Sequence, residues 1–202
     1  MKQQELSESL SVWCGLLISM GALAYTVVGG PIGALLFAFG LITVINIGKR
    51  NLYTGWVGIC RYDKDDWLKL FYMLTLNGVG VLLGVVLALM SNIDIDNTIR
   101  HIVDTRLNTP LISIFTRSIY TGVIMHVCVW MAIHKQTIIP TLIGVPLFIL
   151  CGLPHCIADI FYYGMSLKLG WDNWIVVVWV ISVLGNTIGC KIPSWIDKDL
   201  NK

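Results

Sequence analysis

The chain has 202 residues, of which 56% are hydrophobic and 13% are charged, and its formal net charge at pH 7 is +2. Soluble domains carry about 25% charged residues, so this composition excludes most soluble enzymes, nucleic-acid-binding proteins and disordered proteins. The small net charge gives no indication of a polyanionic partner. Six crossings at about 20 apolar residues each take up most of the chain, which predicts one transmembrane domain over residues 1–202.

Six hydrophobic runs predict six transmembrane helices, at residues 11–29, 32–47, 67–90, 109–133, 138–168 and 173–193. Residues 29–31, Gly-Gly-Pro, are a turn signal that returns the chain directly from the first run into the second. Two of the six runs are interrupted. Residues 48–51, Gly-Lys-Arg-Asn, follow the second run before residues 52–60 continue it, and residues 152–155, Gly-Leu-Pro-His, divide the fifth. Cations facing lipid are costly, so these interruptions predict broken helices whose loops face protein or a cavity.

The distribution of basic residues predicts cytoplasmic termini in a cell (inner) membrane. With the termini (1–10 and 194–202) inside, eight Lys and Arg lie on that side, against three outside. The inner set is Lys2, Arg61, Lys64, Lys69, Lys135, Lys191, Lys198 and Lys202, and the outer set is Arg100, Arg106 and Lys168. Basic residues concentrate in cytoplasmic loops. Residues 91–108 are the longest polar connection between spans.

The two halves of the chain repeat one pattern. Each has an unbroken helix, a broken helix and a helix with an Asn-x-x-Gly step, at Asn77–Gly80 and Asn186–Gly189. Three spans followed by three more place the halves in opposite orientations, and in such inverted repeats the broken helices form the substrate path near the midplane. The half-helices would aim positive N-terminal ends at it. This pattern predicts a channel or carrier for a small solute, with a preference for anions.

The sequence does not indicate an enzyme. The six cysteines lie in or beside apolar runs with no Cys-x-x-Cys pair, which is typical of small buried hydrophobes rather than zinc ligands. The sequence also has no nucleotide-binding loop and no nucleophile–base arrangement. We therefore expect no catalytic residues, no metal and no cofactor.

An ordered set of motifs resembles the formate/nitrite transporter family. The motifs are residues 36–42 with Leu52-Tyr53-Thr54-Gly55, Asn77-Gly78-Val79-Gly80, Arg117 with Val129-Trp130-Met131, Pro146 and Phe148 with residues 152–155 and Ala158, and residues 184–189. Each motif is weak alone, but together they follow the family order from Gly30 to Gly189.

The resemblance implies a homopentamer in the bilayer whose protomers each hold a pore, in an aquaporin-like fold. It also implies transport of small monovalent anions, such as formate, nitrite or hydrosulfide, often coupled to a proton. Family members have two apolar slits around a chamber that holds a histidine, here His155. Carried over by position, one slit has Phe37, Leu41 and Phe148, the other has Leu52 and Tyr53, Thr54 offers a hydroxyl beside His155, and Arg106 replaces a lysine that attracts anions at the outer mouth.

The chain departs from the family pattern at several positions. Gly122 stands where the family has an asparagine in the central chamber, and Asp159 replaces another asparagine. The loop at residues 49–51 lacks the family's acidic residue and carries Arg50. A buried Arg50–Asp159 ion pair joining the broken helices would explain both changes. The alternative is that Arg50 faces the chamber as an extra anion site and that Asp159 contacts something else.

Several readings stay open from the residues alone. An ionisable group at membrane depth, such as His155, indicates a functional site, but a buried histidine bonded to backbone is the alternative. Arg106 either attracts anions or pairs with Asp104. Asn77 and Asn186 are expected to bond across packed helices, although either could touch the path. The predicted function is an anion channel, passive or proton-coupled; the alternatives are a neutral-solute channel and a non-transporting membrane subunit.

Overall fold

The computed structural model describes residues 7–47, 51–60, 64–170 and 172–197, and every regular element among them is helical. The helices are α1 (Glu8–Val28), α2 (Gly30–Ile47), α3 (Tyr53–Trp56), α4 (Lys64–Ser91), α5 (Asp96–Leu107), α6 (Leu111–His134), α7 (Ile139–Leu150), α8 (Cys156–Ser166) and α9 (Trp174–Ile196), with a 3₁₀ turn at Leu167–Leu169.

Local sequence signals explain the first two helices. The Ser7 hydroxyl accepts a hydrogen bond from the Leu10 N–H and begins α1, as N-cap serines do. At the other end, Gly29 and Gly30 have φ angles of 68° and 56°, which side chains disfavour and glycine tolerates. The Gly29 N–H bonds to the Tyr25 carbonyl, so the chain turns directly into α2.

Two predicted spans are each divided into two helices. Helix α2 is followed after residues 48–52 by the short helix α3, and α7 is followed after residues 151–155 by α8. Gly152, with a φ of 63°, ends α7 in the left-handed region. Of the described helices, five are long and apolar enough to cross a membrane, and the apolar helix α7 is shorter. Its 12 residues are too few to cross alone, so the predicted span at residues 138–168 would need both α7 and α8.

The polar connection of residues 91–108 contains helix α5. Its buried residues are Ile99, Val103 and Arg106, a spacing of four and three that places them on one helical face. Helix α5 packs against α8 and α9. The polar residues of this segment are therefore the exposed face of an amphipathic helix.

The helices pack as two equivalent halves. Helix α1 packs on α2 and α4 in the first half, and α6 packs on α7 and α9 in the second, while α2 meets α7 between them. Many large apolar side chains on the outside are exposed, for example Ile32 at 67% and Met90 at 78%. Apolar patches this extensive are rare on soluble monomers, so these faces suit lipid or another protomer.

Candidate functional site

Asn77 of α4 holds the break in the first half. Its Oδ1 accepts the Tyr53 N–H at 2.8 Å, and its Nδ2 donates to the carbonyls of Ser11 at 2.8 Å and Asn51 at 2.9 Å. The first N–H groups of a helix have no partner within it. Asn77 therefore provides a hydrogen-bond partner for the first N–H group of α3 and links α3 to α1.

Asn186 of α9 does the same in the second half. Its Oδ1 accepts the Cys156 N–H at 2.8 Å, and its Nδ2 donates to the carbonyls of Ser118 at 2.8 Å and Pro154 at 3.1 Å. Both asparagine residues are fully buried. Asn77 and Asn186 therefore make equivalent hydrogen bonds in the two halves of the chain, and both side chains bond to backbone atoms at the breaks.

Gly122 does not face a chamber. A Cβ at Gly122 would overlap the Asn186 carbonyl and the backbone of Gly189 and Cys190. Gly15 occupies the equivalent place in the first half, where a Cβ would overlap the Asn77 carbonyl. The expectation that Gly122 lines the path is therefore corrected: it allows α6 and α9 to approach closely.

His155 begins α8 and lies at the centre of the site. Its Nδ1 accepts the Ala158 N–H at 3.2 Å, and its Nε2 lies 3.1 Å from the Thr54 hydroxyl oxygen. An accepting Nδ1 assigns the ring proton to Nε2, so Nε2 donates to Thr54. Thr54 is fully buried and His155 is 2% exposed. The contact links the two broken helices directly.

Aromatic rings cover one side of the imidazole. The Phe148 ring stacks on His155 with centroids 5.5 Å apart, and Phe37 meets Phe148 edge-on at 6.1 Å. All three side chains are buried. Phe37 and Phe148 thus form a buried aromatic contact between α2 and α7, beside the residue that precedes α8.

A second apolar region lies nearer to α3. Leu41 and Leu52 line a small cavity of about 20 Å³ with Val44, Gly55 and Val129. Leu41 therefore lies beside Leu52, whereas the family resemblance assigns it to the slit with Phe37. Tyr53 is not among the described residues that line this cavity; its hydroxyl hydrogen-bonds Thr187 of α9 at 2.6 Å.

Phe148 and His155 also line a cavity of about 200 Å³, called here the vestibule. Its described lining includes Tyr25, His101, Arg106, Phe148, His155, Asp159 and Tyr162. Arg106 is 8% exposed and Asp159 is 1% exposed, and Arg106 Nη2 lies 3.7 Å from Asp159 Oδ1. Arg106 Nη1 also donates to the Gly152 carbonyl at 2.5 Å.

Arg50 lies outside the described residues, so the Arg50–Asp159 pair stays a prediction. The cation that the structure places beside Asp159 is Arg106. The alternative pairing of Arg106 with Asp104 is not found, since Asp104 is exposed and the ion pair is with Asp159.

Lys191, counted above among the cytoplasmic basic residues, is buried within α9. Its ammonium donates a hydrogen bond to the Cys60 carbonyl at 2.8 Å. The whole residue is 8% exposed. The available signal was a lysine inside the last apolar run, where charged side chains are costly. Among the described residues, no three His, Cys, Asp or Glu side chains lie close enough together to hold a metal ion.

Comparison with known proteins identifies a family and a fold. The model of the formate/nitrite transporter family matches residues 7–193. A solved pentameric formate channel with formate bound has a TM-score of 0.82 at 19% identity, covering 96% of this chain and 95% of that one. A solved FNT family ion channel has a TM-score of 0.80 at 18% identity, covering 94% and 88%. No curated protein sequence matches the chain.

Proposed function

Because this chain belongs to the formate/nitrite transporter family, we propose that it is a membrane channel for small monovalent anions and their conjugate acids. The family match confirms the resemblance carried by the ordered motifs, and the solved channels confirm the fold. The chain is thus a multi-pass membrane protein of a transporter family. The observation that carries the proposal is the Thr54–His155 contact between the two broken helices, with His155 also lining the vestibule.

Desolvation dictates the proposed mechanism. A bare anion at the Phe37–Phe148 constriction loses its water shell, which costs several kcal/mol or more. Loss of water also favours the protonated form of a weak acid. The solute therefore passes the apolar regions as the neutral acid, and the imidazole between them orients it by hydrogen bonding or relays its proton.

The residues on either side support this role. We propose that Arg106, paired with Asp159, provides hydrogen-bond donors at the outer end and that Leu41 and Leu52 form the inner apolar region. The N-termini of α3 and α8 add positive partial charge where the two breaks meet.

The assembly is proposed as a homopentamer in a cell (inner) membrane with both termini in the cytoplasm. One solved relative is described as a pentameric formate channel. The apolar side chains exposed on the isolated protomer leave surface for neighbouring protomers as well as for lipid. The excess of Lys and Arg on the side of the termini supports this orientation.

A channel for small neutral solutes is the second candidate. The observation that favours it is the Arg106–Asp159 pair, because two opposite charges side by side give the vestibule little net attraction for an anion.

Flux into proteoliposomes tests the proposal. Formate, nitrite, hydrosulfide and glycerol are compared from pH 5 to pH 8, with His155→Asn as the variant and protein-free liposomes as the baseline. We expect uptake of the three weak acids to rise at acidic pH and to fall at least about tenfold in the variant, about 1.4 kcal/mol of barrier. Glycerol flux that is indifferent to pH, without uptake of the acids, supports the second candidate. No flux of any solute refutes both.

A further inference from the structure

The vestibule holds a pair of opposite charges with unused hydrogen-bonding capacity. Arg106 and Asp159 are both buried, with Nη2 and Oδ1 3.7 Å apart. Among the described residues, Arg106 Nε and Asp159 Oδ2 have no hydrogen-bond partner. Buried polar atoms without a partner are rare and call for an explanation. Here one is a donor and the other an acceptor, and both residues line the vestibule.

Building on the proposed transport function, we propose that Asp159 selects the protonation state of the entering solute, admitting the neutral weak acid in preference to its anion. The Asp159 carboxylate offsets the charge of Arg106, so an anion that loses water here gains little net attraction. A protonated acid presents one acceptor and one O–H donor. The carbonyl oxygen of the acid accepts from Arg106 Nε, and its O–H donates to Asp159 Oδ2.

The Arg106–Asp159 pair dominates the electrostatics of the described vestibule lining. Of the described residues that line the vestibule, only Arg106 and Asp159 are charged at neutral pH when histidine is neutral. No Asp, Glu or Lys side chain from α4 or α9 is among these lining residues. The other titratable groups around Asp159 are Tyr25 from α1, His101 from α5, and His155, Cys156, Tyr162 and Tyr163 at the start of α8 or within it.

The half-saturating concentration of formate in proteoliposomes tests the selection step. Wild type, Asp159→Asn and Asp104→Asn are compared at pH 5.5, 6.5 and 7.5, and nitrate, which stays ionised throughout, is the competitor. Asp104 is the matched control because it is an exposed carboxylate on α5. Assembly of each variant is checked by gel filtration in detergent.

In wild type and in Asp104→Asn, the half-saturating total formate is expected to rise about tenfold per pH unit, following the neutral fraction. Nitrate should inhibit both weakly. In Asp159→Asn the half-saturating concentration should change less than about twofold per pH unit. Nitrate inhibition should strengthen about tenfold or more, since one negative charge within about 5 Å of the binding cation is gone.

Equal nitrate inhibition in wild type and Asp159→Asn, or the same pH profile of half-saturation, overturns the selection by Asp159 while leaving transport intact. Strong competition by nitrate in wild type overturns it as well, even if the variant fails to assemble. Absence of formate, nitrite and hydrosulfide flux in wild type refutes the proposed function, and the selection step with it.

Discussion

Replacement of Asn186 by Ala removes the side chain that holds the break between α7 and α8. Three hydrogen bonds are lost, one accepted from the Cys156 N–H and two donated to the carbonyls of Ser118 and Pro154. The asparagine is fully buried, so the void offers these groups no access to bulk water. Asn186→Ala should therefore destabilise the fold and misplace His155, which directly precedes Cys156.

The magnitude follows from the three bonds. Hydrogen bonds between membrane helices average about 0.6 kcal/mol and reach about 1.7 kcal/mol, which gives about 2 to 5 kcal/mol for three. The upper part of this range is expected, because the Cys156 N–H begins a helix and a buried donor without a partner costs about 1–3 kcal/mol. Asn77→Ala should cost a similar amount, since its three bonds match these in length.

The assay measures unfolding in detergent and formate flux for wild type, Asn186→Ala and Asn46→Ala. Asn46 is the matched control: it is exposed, and its side chain donates a hydrogen bond to the Ile42 carbonyl within its own helix. The control should change the free energy of unfolding by less than about 0.5 kcal/mol. Asn186→Ala should also lose most of its flux.

A change in stability within about 0.5 kcal/mol for Asn186→Ala, with wild-type flux, would refute the reasoning. It would mean that the break keeps its shape through packing alone. Asn186→Asp adds a further check, because it keeps the acceptor for Cys156 but loses both donated bonds. It should be no more stable than Asn186→Ala, since it adds a buried charge.

Two further predictions concern the Thr54 hydroxyl and helix contact. Thr54→Val leaves the His155 Nε2–H without its partner, so formate uptake should fall about tenfold or more. Thr54→Ser keeps a hydroxyl and should keep most of the uptake. Equal uptake by both variants would count against the contact. Gly189→Ala places a Cβ on backbone atoms of α6 and should lower stability by more than about 2 kcal/mol. Gly78→Ala meets only a side-chain carbon at 3.6 Å and should be tolerated; a thermal melt in detergent compares them.

The sequence predicted the membrane class and the breaks for a physical reason. In lipid, every backbone polar group needs a partner within the protein, so long apolar runs become helices. The Asn-x-x-Gly steps were equally informative, because a buried asparagine beside a small residue favours close helix packing with interhelical hydrogen bonds. Asn77 and Asn186 make such bonds.

Helix α5 is an element that the hydropathy pattern left unassigned. Its residues are polar on average, so the sequence predicted only a polar connection there. The buried side chains Ile99, Val103 and Arg106 carry the signal of an amphipathic helix in their spacing. That signal spans only two turns, and the surface that α5 covers belongs to helices distant in the sequence.

The sequence did not predict which way individual side chains face, for a related reason. Position along a helix does not say which neighbour a face meets, so Gly122 was placed in a chamber although it faces the backbone of α9. Tyr53 likewise turns its hydroxyl to Thr187.

Hydropathy and small-residue steps are local properties of the chain, so the residues alone predict the repeated pattern of spans and breaks. Which groups face each other across the breaks depends on the packing of helices that are far apart in the sequence. It brings Thr54 to His155 across 101 positions of sequence and places Arg106 beside Asp159. The strength of charge interactions and hydrogen bonds depends on the distance between the groups in space, and that distance is set by helix packing.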